Sequence, residues 1–152
     1  MPADAAPAPV PFDPAAEGWE RRGTGNYSHL VGPFWTRREA AGWVYGVMAE
    51  ERHLNGAGIV HGGFLVTVAD NALGLTVWEA AGRVPCVTVQ LNTQFIAAVR
   101  AGEFLTARAE ILRKAHSTVF VRGVLTVGDR TVAAADGVWK ILGARAAPGG
   151  GA

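Results

Sequence analysis

The sequence lacks the features that mark several classes of protein. It has one cysteine, Cys86, among 152 residues, so it can form no internal disulfide bond and offers no second sulfur ligand to a metal ion. No stretch approaches about 18 uninterrupted apolar residues, which argues against a membrane span. The net charge is only +1 and no long basic run is present. Neither nucleic acid nor an anionic membrane surface is therefore indicated as a partner.

The organisation of the chain follows from its composition. No basic region followed by a continuous apolar segment opens it, so we expect no signal peptide and a reducing, cytoplasmic location. Apolar residues make up 49% and charged residues 18%, which is typical of a folded domain. Five of the eight prolines lie within the first fourteen residues and predict a disordered leader at residues 1–16. An Ala- and Gly-rich end predicts a flexible tail at 144–152, which leaves one domain at 17–143.

Hydrophobic periodicity predicts one helix among strands. Two short strands are expected at Val31–Thr36 and Trp43–Met48, with the turn between them at Arg37–Glu39 and Gly42. Residues Gly63–Ala80 are apolar nearly all round and predict one long buried helix. Period-two alternation then predicts four strands, the last two joined by a tight hairpin at Gly128-Asp129-Arg130. In the first of these four strands, one face is expected to carry Val87, Val89, Leu91 and Phe95.

This order of elements predicts the fold class. Two strands, a long helix and four strands in an antiparallel meander form an α+β fold in which the sheet wraps one face around the helix. The other face of the sheet and its edges are left to be covered, which indicates an oligomer.

The chemistry concentrates in a glycine-rich loop and one acid. The loop runs Asn55-Gly-Ala-Gly-Ile-Val-His61-Gly62-Gly63, and Asp70 follows inside the apolar helix. Burying an ionised carboxylate without partners costs several kcal/mol or shifts its pKa. Asp70 therefore faces a wet groove, makes local hydrogen bonds, or acts as a general base or nucleophile.

The glycines and His61 each have a structural and a functional interpretation. Gly62 and Gly63 allow a sharp turn, and they also start a helix whose free N–H groups can bind an oxyanion. His61 is a candidate base, but we favour a role in orienting the loop because Asp70 already supplies a base. His61 and His53 have no third ligand at a suitable spacing, so no metal site is predicted.

Two further polar residues each have more than one possible role. Asn55 can cap the turn or hold a water molecule, and Thr88 is an ordinary strand residue unless its hydroxyl points at the helix. Asp70 lies about 10 Å along the axis from the helix start, too far to engage the same carbonyl as Gly62. Either the two do not cooperate, or a two-fold dimer builds composite sites from both chains.

The pattern Asn55-x5-His61-Gly62-Gly63-x6-Asp70, with the strand that begins Val87-Thr88-Val89, resembles the hotdog-fold acyl-CoA thioesterases of the phenylacetate-pathway (PaaI) type. The resemblance covers about residues 32–142. It implies a hydrolase without a cofactor that converts acyl-CoA and water to a carboxylic acid and CoA. It also implies Asp70 as the catalytic carboxylate and the Gly62 N–H as the group that polarises the thioester carbonyl.

The resemblance assigns the remaining site residues. Asn55 would orient the water or the thioester, and Thr88 stands where the family often has serine. His61 and Gly63 complete the loop at the helix start. The turn Arg113-Lys114-Ala115-His116-Ser117 would contact CoA, its cations and hydroxyl binding phosphates. Family sites are built across a homodimer, and dimers commonly pair into homotetramers.

Two other functions stay open. One is a hydratase or dehydratase acting on enoyl thioesters, although the Asp/His pair that such enzymes use is not evident. The other is a non-catalytic module that binds acyl thioesters, for which a carboxylate such as Asp70 has little use. The sequence does not choose between CoA and acyl carrier protein. Four residues could line a pocket for an aromatic or medium-chain acyl group, but we favour core packing for them: Trp43, Phe64, Trp78 and Phe95.

Overall fold

The computed structural model describes residues 11–23 and 25–143. Residues 1–10 of the predicted leader and the predicted tail at 144–152 lie outside this part. The elements in chain order are β1 (Glu20–Arg22), α1 (Asn26–Val31), β2 (Phe34–Glu39), β3 (Gly42–Met48), a 3-10 turn (Glu51–His53), α2 (Gly62–Ala80), β4 (Cys86–Phe95), β5 (Phe104–Lys114), β6 (Thr118–Val127) and β7 (Arg130–Ile141).

The seven strands form one antiparallel sheet around α2, which confirms the predicted α+β hotdog architecture. Their order in the sheet is β1-β2-β3-β5-β6-β7-β4. The predicted four-strand meander is therefore wrong, because β4 pairs with β7 and not with β5. The chain leaves α2 at the far side of the sheet, adds β4 there as an edge strand, and crosses back to build β5, β6 and β7 in sequence.

The core lies between α2 and the sheet. The helix begins one residue earlier than predicted and buries seven side chains: Phe64, Leu65, Val68, Ala69, Ala72, Leu73 and Val77. A Cβ on Gly123 of β6 would lie 2.8 Å from Leu73 Cδ1, so this glycine lets the helix approach the sheet closely. Among the described residues, no helix is long and apolar enough to cross a membrane.

The first hairpin differs from the prediction. Val31 ends α1, and Arg37–Glu39 belong to β2 instead of forming a turn. Glu39 explains the difference, because its carboxylate accepts hydrogen bonds from Arg37 at 2.9 Å and from Arg108 on β5 at 3.0 Å. These charged residues extend the outer face of the sheet, although their polarity suggests a loop.

A bulge in β4 overturns the predicted alternation of its faces. The pairing with β7 shifts between Thr88 and Gln90, and the extra residue reverses which side chains point inward. Thr88 therefore faces α2 and forms a hydrogen bond with it. Leu91, on the other side of the bulge, also points inward and packs against the core. Val87 and Val89, predicted on the same face as Leu91, are exposed.

Candidate functional site

The N-terminus of α2 presents one free backbone donor. His61 is the N-cap residue, and its Nδ1 accepts a hydrogen bond from the Gly63 N–H at 2.8 Å. The N–H groups of Phe64 and Leu65 donate to the His61 carbonyl. The first helical residue, Gly62, has no intrahelical acceptor, and its N–H finds none elsewhere in residues 11–23 and 25–143. Gly62 is therefore the group able to bind a developing negative charge.

The loop before the helix is closed by Asn55. Its Oδ1 accepts hydrogen bonds from the N–H groups of Ala57 at 2.9 Å and Ile59 at 3.4 Å, and its own N–H donates to the Ile59 carbonyl. This is a local turn of the kind that Asn commonly makes. The carboxamide NH₂ has no partner in the described part of the chain and remains available to a ligand.

His53 supports this loop from inside the protein. Its ring stacks on Phe64 with centroids 3.8 Å apart, and its Nδ1 accepts a hydrogen bond from the Glu50 N–H at 3.0 Å. Burial lowers the pKa of His53, so the ring stays neutral at physiological pH. The two histidines have separate structural contacts, and the described residues contain no group of three or more potential metal ligands.

Asp70 lies in the middle of α2, where its half-buried carboxylate meets β4. The Thr88 hydroxyl donates a hydrogen bond to Asp70 Oδ1 at 2.7 Å. The structure thus brings together two predicted site residues that are eighteen positions apart. The bulge in β4 makes this contact possible, because it keeps Thr88 and Leu91 on the same face of the strand.

Two cavities meet at Asp70. The larger, which we call the Asp70 cleft, has a volume of about 690 Å³. Its walls come from β1, α2, β4 and β7 and include Arg22, Gly74, Leu75, Trp78, Pro85, Thr88 and Trp139. The smaller, of about 360 Å³, lies beneath α1 and is lined by Tyr27, Val66, Thr67, Asn71 and Leu91 as well as Asp70.

The one cysteine of the chain also lines the cleft. Cys86 Sγ lies 3.7 Å from the Gly74 carbonyl. Burial, and then the Asp70 carboxylate, raise the pKa of the Cys86 thiol. The thiol therefore stays protonated at neutral pH, and Asp70 remains the better candidate for attack or proton transfer.

The turn between β5 and β6 lies at the other end of α2. Lys114 Nζ donates to the Ala80 carbonyl at 2.8 Å, and Lys140 Nζ donates to Ser117 Oγ at 3.0 Å. Arg113 and His116 are exposed and make no hydrogen bond or ion pair within the described ranges. Of the predicted CoA-binding residues, Lys114 and Ser117 thus hold the turn in place, and Arg113 and His116 are free to bind a ligand.

The aromatic candidates separate into different environments. Phe64 is core, Trp43 packs against the core, and Phe95 is exposed with its ring over Gly62. Of the four, Trp78 alone lines the Asp70 cleft. Sequence reasoning missed Arg22, which reaches the same cleft from β1, because a three-residue strand leaves no periodic signal.

Comparison with known proteins agrees with this architecture. The Thioesterase superfamily model matches residues 57–134. A Pseudomonas aeruginosa protein named as a predicted esterase is 33% identical over 114 residues, 74% of this chain and 85% of the relative. Acyl-coenzyme A thioesterase 13 of Homo sapiens is 28% identical over 102 residues, 66% of this chain and 73% of that protein.

Solved structures extend the similarity to the fold. A conserved Pseudomonas aeruginosa protein superposes with a TM-score of 0.72 at 25% identity, covering 78% of this chain and 95% of that one. The Escherichia coli PaaI protein of the phenylacetic acid degradation operon gives 0.61 at 21% identity, covering 86% and 83%. A Bacillus halodurans protein solved with CoA gives 0.63 at 24% identity, covering 72% and 74%. The chain is therefore a hotdog-fold member of the thioesterase superfamily.

Proposed function

We propose that this protein hydrolyses acyl-CoA thioesters to carboxylic acids and CoA, with Asp70 as the catalytic carboxylate. The observation that carries the proposal is the Asp70 carboxylate, held by Thr88 at the junction of two cavities. Family membership supports thioester hydrolysis in general. CoA as the carrier is supported by the name of the human relative and by the CoA complex of the Bacillus halodurans protein.

The geometry of Asp70 suits a role as a general base or as a nucleophile. Thr88 occupies Oδ1 and orients the carboxylate, and the described residues provide no donor to Oδ2. As a general base, Oδ2 takes a proton from water while the water oxygen attacks the thioester carbonyl carbon. The tetrahedral intermediate then expels the CoA thiolate, which accepts that proton. As a nucleophile, Asp70 instead attacks the carbonyl carbon, the carbon–sulfur bond breaks, and the CoA thiolate leaves as a mixed anhydride forms. Water then hydrolyses the anhydride, which releases the carboxylic acid, regenerates the Asp70 carboxylate and supplies the proton that the thiolate takes up.

The Gly62 N–H supplies the second function that the reaction needs. Negative charge develops on the carbonyl oxygen as the carbonyl carbon is attacked, and a fixed backbone donor at a helix N-terminus stabilises it. In a single chain Gly62 lies eight residues from Asp70, about 12 Å along the helix axis. One chain therefore does not bring both groups to the same carbonyl.

A homodimer through β4 resolves this separation. Within the described part of the chain, no strand pairs with the outer edge of β4, and apolar Val89, Phe95 and Ile96 are exposed along it. Asp70 contacts Thr88 near the start of β4, and Gly62 lies under Phe95 at its end. Antiparallel pairing about a two-fold axis sets the start of one β4 beside the end of the other. It brings Asp70 of each copy towards Gly62 of the other.

The outer face of the sheet suggests a second interface. Leu112, Phe120 and Val124 are exposed there, and water-exposed apolar patches on a sheet favour association. We propose that two dimers bury this face in a homotetramer. Sedimentation of the purified protein measures the assembly directly, and a monomer at micromolar concentration would contradict both interfaces.

The remaining predicted residues position the substrate. The free NH₂ of Asn55 is proposed to orient the water or the thioester. Arg113 and His116 are proposed to bind CoA phosphates, since charge-assisted bonds to phosphate are strong. His61 is proposed to fix the loop against the first turn of α2, because its ring accepts a hydrogen bond from the Gly63 N–H.

The test is release of free thiol from a panel of aryl- and alkyl-CoA thioesters. Asp70→Asn keeps the shape and removes the charge, and we expect a loss of about 10²–10⁴-fold in kcat. Asp129→Asn, in the exposed turn between β6 and β7, is the matched control and should retain wild-type turnover. An Asp70→Asn protein that hydrolyses acyl-CoAs at the wild-type rate would contradict the proposal.

A further inference from the structure

The Asp70 cleft extends along α2 from Asp70 to Trp78, and Gly74 between them has no side chain that would block it. Asp70, Gly74 and Trp78 follow one another at intervals of four residues and lie on one face of α2, so the cleft extends about 12 Å from the carboxylate to Trp78. A Cβ on Gly74 would lie 3.2 Å from Nε1 of Trp139. Gly74 therefore leaves the space above Trp139 open, and a ligand can run from Asp70 to Trp78.

Two guanidinium groups contact Trp78, the residue at the far end of the cleft. Those of Arg22 and Arg83 each lie 5.5 Å from the centroid of the Trp78 ring. Arg83 is paired with Glu79 at 3.4 Å. Arg22 lines the cleft, is half-buried, and makes no hydrogen bond or ion pair with any residue in 11–23 or 25–143.

An unpaired guanidinium in a largely apolar cleft has five donors and no acceptor. Its cation–π contact with Trp78 orients the group but satisfies none of these donors. Carboxylate and phosphate groups match the guanidinium fork with two parallel hydrogen bonds. The cleft therefore joins a reactive carboxylate at one end to an unsatisfied anion-binding group at the other.

We propose that Arg22 binds an anionic group of the substrate and thereby sets substrate preference. This inference rests on the proposed thioesterase function. The anion has two possible sources with the same chemistry: a carboxylate at the distal end of the acyl group, or a phosphate of CoA. In either case Arg22 acts on the substrate at a distance from the reacting carbonyl, so it affects binding and selection and not the chemical step.

The experiment uses four thioesters and two variants. A neutral acyl group and an ω-carboxyacyl group of equal length are each attached to CoA and to N-acetylcysteamine, which has no phosphate. Arg22→Gln removes the charge. Arg21→Gln removes the same charge from the neighbouring position on β1, which is exposed and does not line the cleft. Thermal denaturation of both variants reports on folding.

Arg22→Gln is expected to lower kcat/KM by about 10- to 100-fold for substrates that carry the relevant anion, and Arg21→Gln is expected to have little effect. A fall in kcat/KM that is confined to the two ω-carboxyacyl thioesters identifies the acyl carboxylate as the anion. A fall in kcat/KM that is confined to the two CoA thioesters identifies a phosphate of CoA as the anion. Arg22→Lys should recover part of the loss, because it restores the charge without the fork.

Two results would overturn the inference. Equal losses on all four thioesters would show that Arg22 only covers Trp78, and no loss on any of them would show that it binds no substrate group. Binding of non-hydrolysable thioethers of the same four compounds tests the role of Arg22 separately from the thioesterase function. If no thioester is turned over, the affinities of wild type and Arg22→Gln for these thioethers still decide the role of Arg22.

Discussion

The two halves of the candidate site, at the start and in the middle of α2, are built in different ways. At the start, His61 and Gly63 contact each other across two residues, and Asn55 bonds to residues two and four positions away. In the middle, Asp70 depends on Thr88, eighteen residues later. The first half is local structure that a short motif encodes. The second exists only when helix and sheet have packed.

The two halves also supply different chemical groups. The start of the helix supplies a donor and the middle supplies a carboxylate, and both lie on one rigid element about 12 Å apart. A rigid helix does not bend to bring the two together. The proposed mechanism therefore needs the same helix of a second copy, and mutations in the two halves should have separable effects.

The largest expected effect comes from mixing two inactive variants. Asp70→Asn removes the carboxylate, and Gly62→Pro removes the backbone donor. If the site is composite, a mixed dimer has one site with both lesions and one with none. Co-refolding equal amounts should then restore about a quarter of the wild-type sites.

The control for this experiment is each variant refolded alone, which should remain inactive. Recovery is measured as thiol release per protomer, with mixed dimers confirmed by native mass spectrometry. Mixed dimers that form and stay inactive would show that each site lies within one chain, contrary to the proposed homodimer.

The second prediction separates the donor from the shape of the helix start. Proline is well tolerated at the first position of a helix, and His61 has the extended backbone (φ −62°, ψ 134°) that a following proline requires. Gly62→Pro should therefore fold and lose about 10²–10³-fold in kcat, as expected for loss of an oxyanion donor.

Gly62→Ala is the matched control, because it adds a Cβ but keeps the N–H. That Cβ would lie 3.2 Å from the ring of Phe95, which need shift by only a few tenths of an ångström to accept it. We expect Gly62→Ala to retain most of its kcat. Similar losses in both variants would point to crowding against Phe95 and away from the donor.

The smallest effect is expected at Thr88. Thr88→Val keeps the shape of the side chain and removes the hydroxyl that orients Asp70. A neutral hydrogen bond contributes roughly 1 kcal/mol and one to a charged group up to about 3 kcal/mol, so kcat should fall by about 5- to 100-fold. Thr88→Ser keeps the hydroxyl and should remain close to wild type in the same thiol-release assay.

Local patterns were enough to predict α2, the hairpin between β6 and β7, and the loop from Asn55 to Gly63. In each of these the determining contacts lie within a few residues. Prediction failed where a distant partner decides the structure. The charges of Arg37–Glu39 suggest a solvent-exposed turn, but Glu39 bonds to Arg37 and to Arg108 on β5, and all three residues pair with β3.

The sequence by itself therefore determined the helix, its start at the His61-Gly62-Gly63 motif and the acid within it, because helix periodicity and capping depend on neighbouring residues. Only the tertiary structure decided which way Thr88 points, since a bulge in β4 reverses the alternation that sequence predicts. It alone also decided that β4 crosses to the sheet edge beside β7, and that Arg22 meets Trp78 at the end of the Asp70 cleft. These features join residues far apart in the chain, and such pairings depend on how the whole sheet closes around α2.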